Sequence, residues 1–360
     1  MPGTTRVIRR HLALGLVFGV VCLVGVGTGA WGGSETAPRS GSADAAPRSG
    51  DRWAVTYTRE QFAGFTEELS GHYVGVGLWV VRRPSGEVDI SRVLSGGPAA
   101  RAGVAIGDRL LRIGAAPVDG LPVTEVVALL RDGGSGSTVR LTVRHGLRQR
   151  EVLLRRTVLD ADDVTVDKLP GGVTWISLDA FTEGVGKRVA AAVRGARSGT
   201  GVLLDLRGNS GGLVDEAVAT ASVFLDGGPV ARYRPQGGGS AQVIAAARGG
   251  DTTTPLVVLV DGGTMSAAEL VTGALQDRGR AVVVGSPTFG KGAVQQPAAQ
   301  PDGRILEHTV GTYLTPEGRD PSANGLAPDV LVPSSAGAEA ATTTALNVLD
   351  DLAGDDGPAR

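Results

Sequence analysis

Twice in the C-terminal half of the chain an unbroken apolar run ends in a glycine loop and then passes into a helical pattern. Residues 201–206, Gly-Val-Leu-Leu-Asp-Leu, run into Arg207-Gly208-Asn209-Ser210-Gly211-Gly212, and a helix is expected from Leu213 to Phe224. Leu256–Val260 repeats the device, through Gly-Gly-Thr-Met-Ser into a helix after Ser266, and 281–284 supplies a third apolar strand ending at Gly285. Strands that lack polar alternation are buried on both faces, so helices must cover them, which predicts an α/β layer structure from about 165 onward. Two such loops side by side would place free backbone amides in one crevice, where sheets of this kind hold ligands. The 56 glycines and the 4% aromatic content agree with many tight turns rather than an aromatic core. With 360 residues the chain has room for two domains, and 35 basic against 37 acidic groups offer no electrostatic footprint for nucleic acid.

The beginning of the chain reads differently. Arg6, Arg9 and Arg10 precede an uncharged run from Leu12 to about Gly33, the pattern of a signal peptide or a single membrane anchor over 1–30. Thr28-Gly29-Ala30 offers small residues for cleavage; without cleavage, the same segment would hold the protein at a membrane. Either way an exported, extracytoplasmic location is expected. Cys22 is the sole cysteine, so no disulfide can form within one chain. Residues 31–50 contain Ala-Pro-Arg-Ser-Gly at 37 and again at 46, which reads as a flexible linker or as low-complexity sequence with no role.

A short amphipathic helical segment is predicted over 51–72 from the spacing of Tyr57, Phe62, Phe65 and Leu69. The period then shifts to two: a glycine-interrupted strand over 73–81, a hairpin through Pro84-Ser85-Gly86, a strand over 88–93, a helix over 123–131 and a strand over 138–144. With GPAARAGVAIGDRLLRIG at 97–114 inside it, the stretch 73–155 resembles a PDZ domain. Such domains add a peptide as an extra strand and hold its terminal carboxylate on backbone N–H groups. The resemblance makes Gly75, Val76, Gly77 and Leu78 the candidate carboxylate loop. Val80, Val126, Val127 and Leu130 become the candidate pocket for the last side chain, or else simply core.

Chemistry concentrates around Ser266. Ser266-Ala267-Ala268-Glu269 is a capping box, which by itself requires no catalysis, yet a hydroxyl at a helix N-terminus also lies where developing negative charge is stabilised. A nucleophilic serine needs a base. His11 lies in the leader, His72 and His145 bracket the PDZ-like stretch, and His308 falls in an alternating strand, so none is well placed. Arginine cannot give up its proton, which leaves Lys168, Lys187 and Lys291. Lys291 lies in a glycine loop just past an apolar strand, with Phe289 and Val294 available to desolvate its amine, and burial favours the neutral form that a base requires.

DLRGNSGGLVDEAVATASVFL (205–225), VVLVDGGTMSAAELVTGALQD (257–277), VVVGSPTFGKGAVQ (282–295) and YLTPEGRDPSANGLAPDV (313–330) resemble, in order and spacing, the core of the carboxyl-terminal processing (tail-specific) proteases. With the PDZ-like stretch in front, the resemblance covers nearly everything from 60 to 335. It implies an α/β (α+β) protease core of strand–Gly loop–helix units, crotonase/Clp-protease-like, over 156–335, with a C-terminal tail over 336–360. Carried over residue by residue, it implies Ser266 as nucleophile, Lys291 as general base, Gln295 holding the lysine amine, and Asp277 as a charge-relay member. A carboxylate beside the lysine would favour the ammonium, so Asp277 has an equal reading as a helix-end residue. The backbone N–H groups of Ala267 and Gly211 would form the oxyanion hole. Met265 and Ala268 depart from the family's usual small residue and second serine. The implied activity is endoproteolysis near accessible C-termini of exported proteins, with no metal or other cofactor; the alternative is a catalytically weak PDZ adaptor of the cell envelope.

Overall fold

The computed structural model describes residues 50–83, 86–121, 123–196, 201–322 and 324–354. The expected leader (1–30), nearly all of the linker, and Pro84 and Ser85 of the expected hairpin lie outside the described residues. Among the described residues no helix is long and apolar enough to cross a membrane. The chain divides into two compact units: His72–Ala161, and the described residues up to Gly71 together with those from Asp162 onward.

In the first unit the strands Leu78–Arg82, Val88–Val93, Arg109–Ile113, Thr138–His145 and Arg148–Arg155 follow one another across an antiparallel sheet, and the helix Val123–Arg131 falls where the apolar spacing predicts it. A second, two-stranded sheet pairs His72–Gly75 with Thr157–Asp160. The core is aliphatic, built on Val88, Ile90, Leu110, Val126, Leu141 and Val143. Of the candidate pocket residues, Val80, Val126 and Leu130 are closed into this core, whereas Val127 is half-buried; in the candidate carboxylate loop the Val76 side chain is buried and that of Leu78 half-buried. Gly77 has φ +73, a conformation glycine adopts without the strain other residues would carry, and its carbonyl accepts the Leu94 N–H.

The second unit is built on a six-stranded sheet in the order Val164–Lys168, Thr174–Leu178, Val202–Asp205, Leu256–Val260, Val282–Gly285, Val330–Leu331. Only the first pair is antiparallel. Period-two geometry divides its apolar residues between two layers. Val202, Leu204, Val258 and Val260 face the helices Val185–Arg194, Val214–Phe224 and Ala267–Asp277. Leu203, Val257, Leu259 and Val284 pack instead against Ala341, Ala345 and Leu349. Those last three belong to a helix, Gly337–Gly354, so the segment expected to be a tail is the second cover of the sheet. A sheet with apolar side chains on both faces requires it.

A separate antiparallel sheet joins Val55–Tyr57, Ile305–Leu314, Pro229–Pro235, Gln242–Ala245 and Ala293–Ala299. The predicted helical segment therefore begins as a strand: Val55–Tyr57 pairs with Ile305–Glu307, and the helix runs from Arg59 to Leu69 behind a Thr58 capping box. The glycine-rich stretch 236–250 holds one of these strands, Gln242–Ala245.

Candidate active site

Adjacent parallel strands bring the two glycine loops together. Val202–Asp205 and Leu256–Val260 pair in register, and each turns at its C-terminal end. Gly208 N–H donates to Asp261 Oδ1 (2.9 Å), Met265 N–H to the Asn209 carbonyl (2.9 Å) and Thr264 Oγ1 to the Leu206 carbonyl (2.9 Å). A Cβ on Gly263 would lie 2.9 Å from the Gly208 Cα, so the loops can approach this closely only with glycine there.

Ser266 ends the second loop and opens the helix Ala267–Asp277. Its φ of +57° and ψ of −115° make it the one non-glycine residue with positive φ among the described residues, a strained conformation of the kind that concentrates at functional sites. The capping box forms, with Ser266 N–H donating to Glu269 Oε2 at 2.9 Å. The next N–H, that of Ala267, makes no hydrogen bond among the described residues and sits at the positive end of the helix, as an oxyanion donor must.

Glu269 does more than cap. It is fully buried, and its Oε1 accepts Thr288 Oγ1 (2.5 Å) and Gly290 N–H (2.8 Å) while its Oε2 accepts Lys291 N–H (2.8 Å) beside that of Ser266. One carboxylate thus fixes the start of the nucleophile's helix and the loop that carries the lysine. Four charge-assisted bonds satisfy a charge that would otherwise be costly to bury. Tyr313 adds a second tie, its hydroxyl donating to the Ser266 carbonyl (2.8 Å) and its N–H to the Gly292 carbonyl (2.9 Å).

Lys291 is 2% exposed. Its Nζ lies 5.3 Å from the centre of the Trp53 ring, which in turn tilts against Phe289 at 6.0 Å. The apolar cover expected from Phe289 and Val294 is therefore supplied first by Trp53, because Phe289 is half exposed and Val294 faces the main core. Burial works against the ammonium and the aromatic face works for it.

Two of the sequence-based assignments, Gln295 and Gly211, are placed differently, and Asp277 takes the second of its two readings. Gln295 is buried, but among the described residues its amide donates to the Trp53 carbonyl rather than to the lysine amine, so it secures the N-terminal segment over the site. Asp277 pairs with Arg319 and accepts the Glu317 N–H (2.8 Å), tying the end of the helix to the turn after the strand Ile305–Leu314. Gly211 N–H is committed to Asn209 Oδ1 (2.8 Å), and Asn209 is itself held by the Leu178 carbonyl through its side-chain amide (2.9 Å). The reason for this last difference is local: Asn209 is fully buried and must satisfy its own carbonyl oxygen.

Trp53 and Glu307 were not singled out from sequence. Glu307 is fully buried on the strand Ile305–Leu314; its Oε2 lies 3.4 Å from the Tyr57 hydroxyl, and its Oε1 has no hydrogen-bond partner among the described residues. Burial pushes its carboxyl up to about 7, against the opposing pull of the Lys291 charge and the Tyr57 hydroxyl.

Among the described residues no cluster of His, Cys, Asp and Glu could hold a metal ion. Residues 172–332 match peptidase family S41, and residues 90–145 match the PDZ domain family. The carboxy-terminal processing protease CtpA of Bacillus subtilis (strain 168) is 31% identical over 286 residues, 78% of this chain and 60% of that protein. A CtpA-like serine protease of Staphylococcus haemolyticus (strain JCSC1435) is 30% identical over 79% of this chain and 58% of its own length. The chain thus spans about three fifths of the length of these curated relatives. A crystal structure of an S41 protease from Bacteroides fragilis NCTC 9343 superposes with a TM-score of 0.54 at 18% identity, covering 84% of this chain and 87% of that one, a likeness of fold. On these matches the chain belongs to peptidase family S41, with a PDZ domain ahead of its S41 core.

Proposed function

We propose that the chain is a serine endopeptidase that acts near the C-termini of exported proteins, with Ser266 as nucleophile and Lys291 as general base. The observation that carries this reading is the shared carboxylate: Ser266 and Lys291 are the two residues whose backbones Glu269 Oε2 holds together. Of the relatives described above, one is named a carboxy-terminal processing protease and the other a CtpA-like serine protease, which supports the same reaction class.

In this mechanism the neutral Lys291 amine takes the proton of Ser266 Oγ as the oxygen adds to the scissile carbonyl carbon. The carbonyl π electrons move onto oxygen, facing the Ala267 N–H. Collapse breaks the C–N bond, the lysine ammonium returns its proton to the departing amine, and an acyl-enzyme remains. Water then adds to the ester with Lys291 again as base, and the serine is regenerated. The PDZ domain contributes substrate selection by pairing with a C-terminal segment, with Leu78 and Val127 as the accessible apolar contacts. The apolar leader, as signal peptide or anchor, would carry the protein out of the cytoplasm and, if retained, keep it at the membrane.

The test is cleavage of a protein substrate with a defined C-terminal tag by the full chain and by S266A and K291A. Each variant is expected to lose turnover while keeping its circular dichroism; near-normal cleavage by either would refute the dyad. A PDZ adaptor with weak catalysis is the second reading, favoured by the engaged Gly211 N–H. In that case a fluorophosphonate would fail to label Ser266 while tagged peptides still bind.

A further inference from the structure

Trp53 lies against the lysine, yet the mechanism above gives it no part. Just ahead of the strand Val55–Tyr57, the segment Asp51-Arg52-Trp53 is tied down at every residue. The Asp51 carboxylate accepts the N–H and the hydroxyl of Thr309 (2.8 and 2.9 Å) and, within the segment, the Trp53 N–H (3.1 Å). The Arg52 guanidinium donates to the Ser322 carbonyl (2.9 Å), and the Trp53 carbonyl accepts the Gln295 amide. Ties this dense fix where the indole lies. Its ring centre is 5.3 Å from Lys291 Nζ, 6.0 Å from the Phe289 ring centre and 4.7 Å from the Arg52 guanidinium carbon. Trp53 is half-buried and lines a surface cavity of about 420 Å³ together with Arg52, Ala293, Thr312 and Ser322. Lys291 is 2% exposed and is not among the residues that line that cavity. The indole is thus the wall between the cavity and the amine.

We propose that Trp53 is a positioning residue for Lys291: its indole keeps water from the amine and so makes the neutral base available to Ser266. The proposal rests on the Ser266–Lys291 reading and adds the wall which that reading needs. A lysine amine open to water is an ammonium at neutral pH, and burial lowers its midpoint by up to about 3–5 pH units. The aromatic face favours the ammonium, but by at most about 1.5 pH units, so the exclusion of water sets the sign. The charged and titratable groups around this part of the site lie on other residues. Glu269 holds the Lys291 N–H, Glu307 and His308 belong to the strand Ile305–Leu314, Asp51 is bound to Thr309, and Asp320 accepts the Ser322 N–H beside Gly292. Arg52, over the same ring, repels an ammonium. Its approach after loss of the indole would lower the midpoint, against the direction that loss of the wall produces.

The test follows the rate of Ser266 phosphonylation by a fluorophosphonate against pH, in the full chain, for the wild type, W53A, W53F and S266A. W53A should move the midpoint of the rising limb up by about one pH unit or more, which slows labelling near neutral pH by about tenfold. At high pH its rate should approach that of the wild type. W53F keeps an apolar cover and should retain most of the wild-type midpoint. A midpoint that stays in place or falls in folded W53A overturns the proposal, because a purely structural role would lower the rate at every pH without moving the limb. Labelling of S266A at the wild-type rate, or no labelling of the wild type at any pH, would instead overturn the dyad itself. Should W53A not fold, D51A carries the test, since it removes the anchor of the segment and leaves the indole in the chain. Its midpoint should also rise. Loss of the Asp51 charge alone would lower the midpoint, and a lowered or unmoved midpoint in D51A refutes the proposal.

Discussion

Ser266 and Lys291 donate their backbone N–H groups to one and the same oxygen of Glu269, at 2.9 and 2.8 Å. The relative position of nucleophile and base is therefore set by a buried anion and not by their own side chains. The other oxygen of that anion holds Thr288 and Gly290, so the whole turn from 288 to 291 is drawn onto the first turn of the helix.

Glu269→Gln is accordingly expected to damage both stability and activity. The amide places an NH₂ where two donors now find an acceptor. The Thr288 hydroxyl can turn, but a backbone N–H cannot, so at least one buried N–H is orphaned and the charge-assisted character of the rest is lost. A cost of about 2–4 kcal/mol follows. Denaturant melts of E269Q against wild type give that number. Fluorophosphonate labelling under conditions where the variant is folded should still be slow, because the lysine loop is no longer fixed.

Ser266 adopts φ +57° and ψ −115°, where a side chain is strained and glycine is not. S266A and S266G both remove the nucleophile and should both be inactive, but they should differ in stability. Glycine relieves strain of roughly 1–3 kcal/mol and loses part of that gain to its own greater freedom in the unfolded chain, about 0.4–1 kcal/mol. The glycine variant should therefore be the more stable of the two by about 1 kcal/mol. Equal midpoints in paired urea titrations would show that the conformation carries no strain.

Asp277 provides a contrast, since the geometry assigns it to the scaffold. Its side chain is 1% exposed and paired with Arg319, and it caps the Glu317 N–H. Asp277→Asn should cost about 1–3 kcal/mol through the weakened buried pair. It should leave the pH midpoint of Ser266 labelling where it is in the wild type. A shift of that midpoint would return Asp277 to the catalytic group.

The contrast also marks what a sequence of this kind displays. The strand–Gly loop–helix units, Ser266 at the head of Ala267–Asp277, and the helix Val123–Arg131 are encoded in neighbouring residues, so apolar spacing and glycine placement reveal them. Glu269 was legible as a capping residue, because that role lies three positions away, but not as the acceptor for Lys291, 22 positions away. Trp53 and Glu307 carry no local signal at all. Trp53 reaches the lysine, and Glu307 is buried, because Val55–Tyr57 pairs with a strand 250 residues later, and no spacing rule anticipates an antiparallel pairing of that span. Gln295 and Asp277 were legible as buried, motif-bearing positions, whereas the partner each one takes is settled by tertiary packing.

Glu307 also makes a prediction about stability, and its sign follows from the direction of the shift. Its carboxyl is raised to about 7 in the folded chain from an ordinary value of 4.5, with burial as the main cause. Below 4.5 the group is protonated in both states, so burying it neutral carries its full benefit. Between 4.5 and 7 the unfolded chain releases the proton while the folded chain keeps it, and stability falls as pH rises. Above 7 both states are ionised and the loss is complete. At about 1.4 kcal/mol per pH unit, the interval from 4.5 to about 7 sets an upper limit of about 3.5 kcal/mol. Glu307→Gln has no proton to lose, so the difference in unfolding free energy between E307Q and wild type should swing toward the variant as pH is raised from 4.5 to 7.5 and should level off beyond that. Urea titrations of both proteins at half-unit steps measure it. A difference that stays flat across the window would mean that Glu307 ionises in the folded chain at its ordinary value, with water or Lys291 close enough to offset its burial.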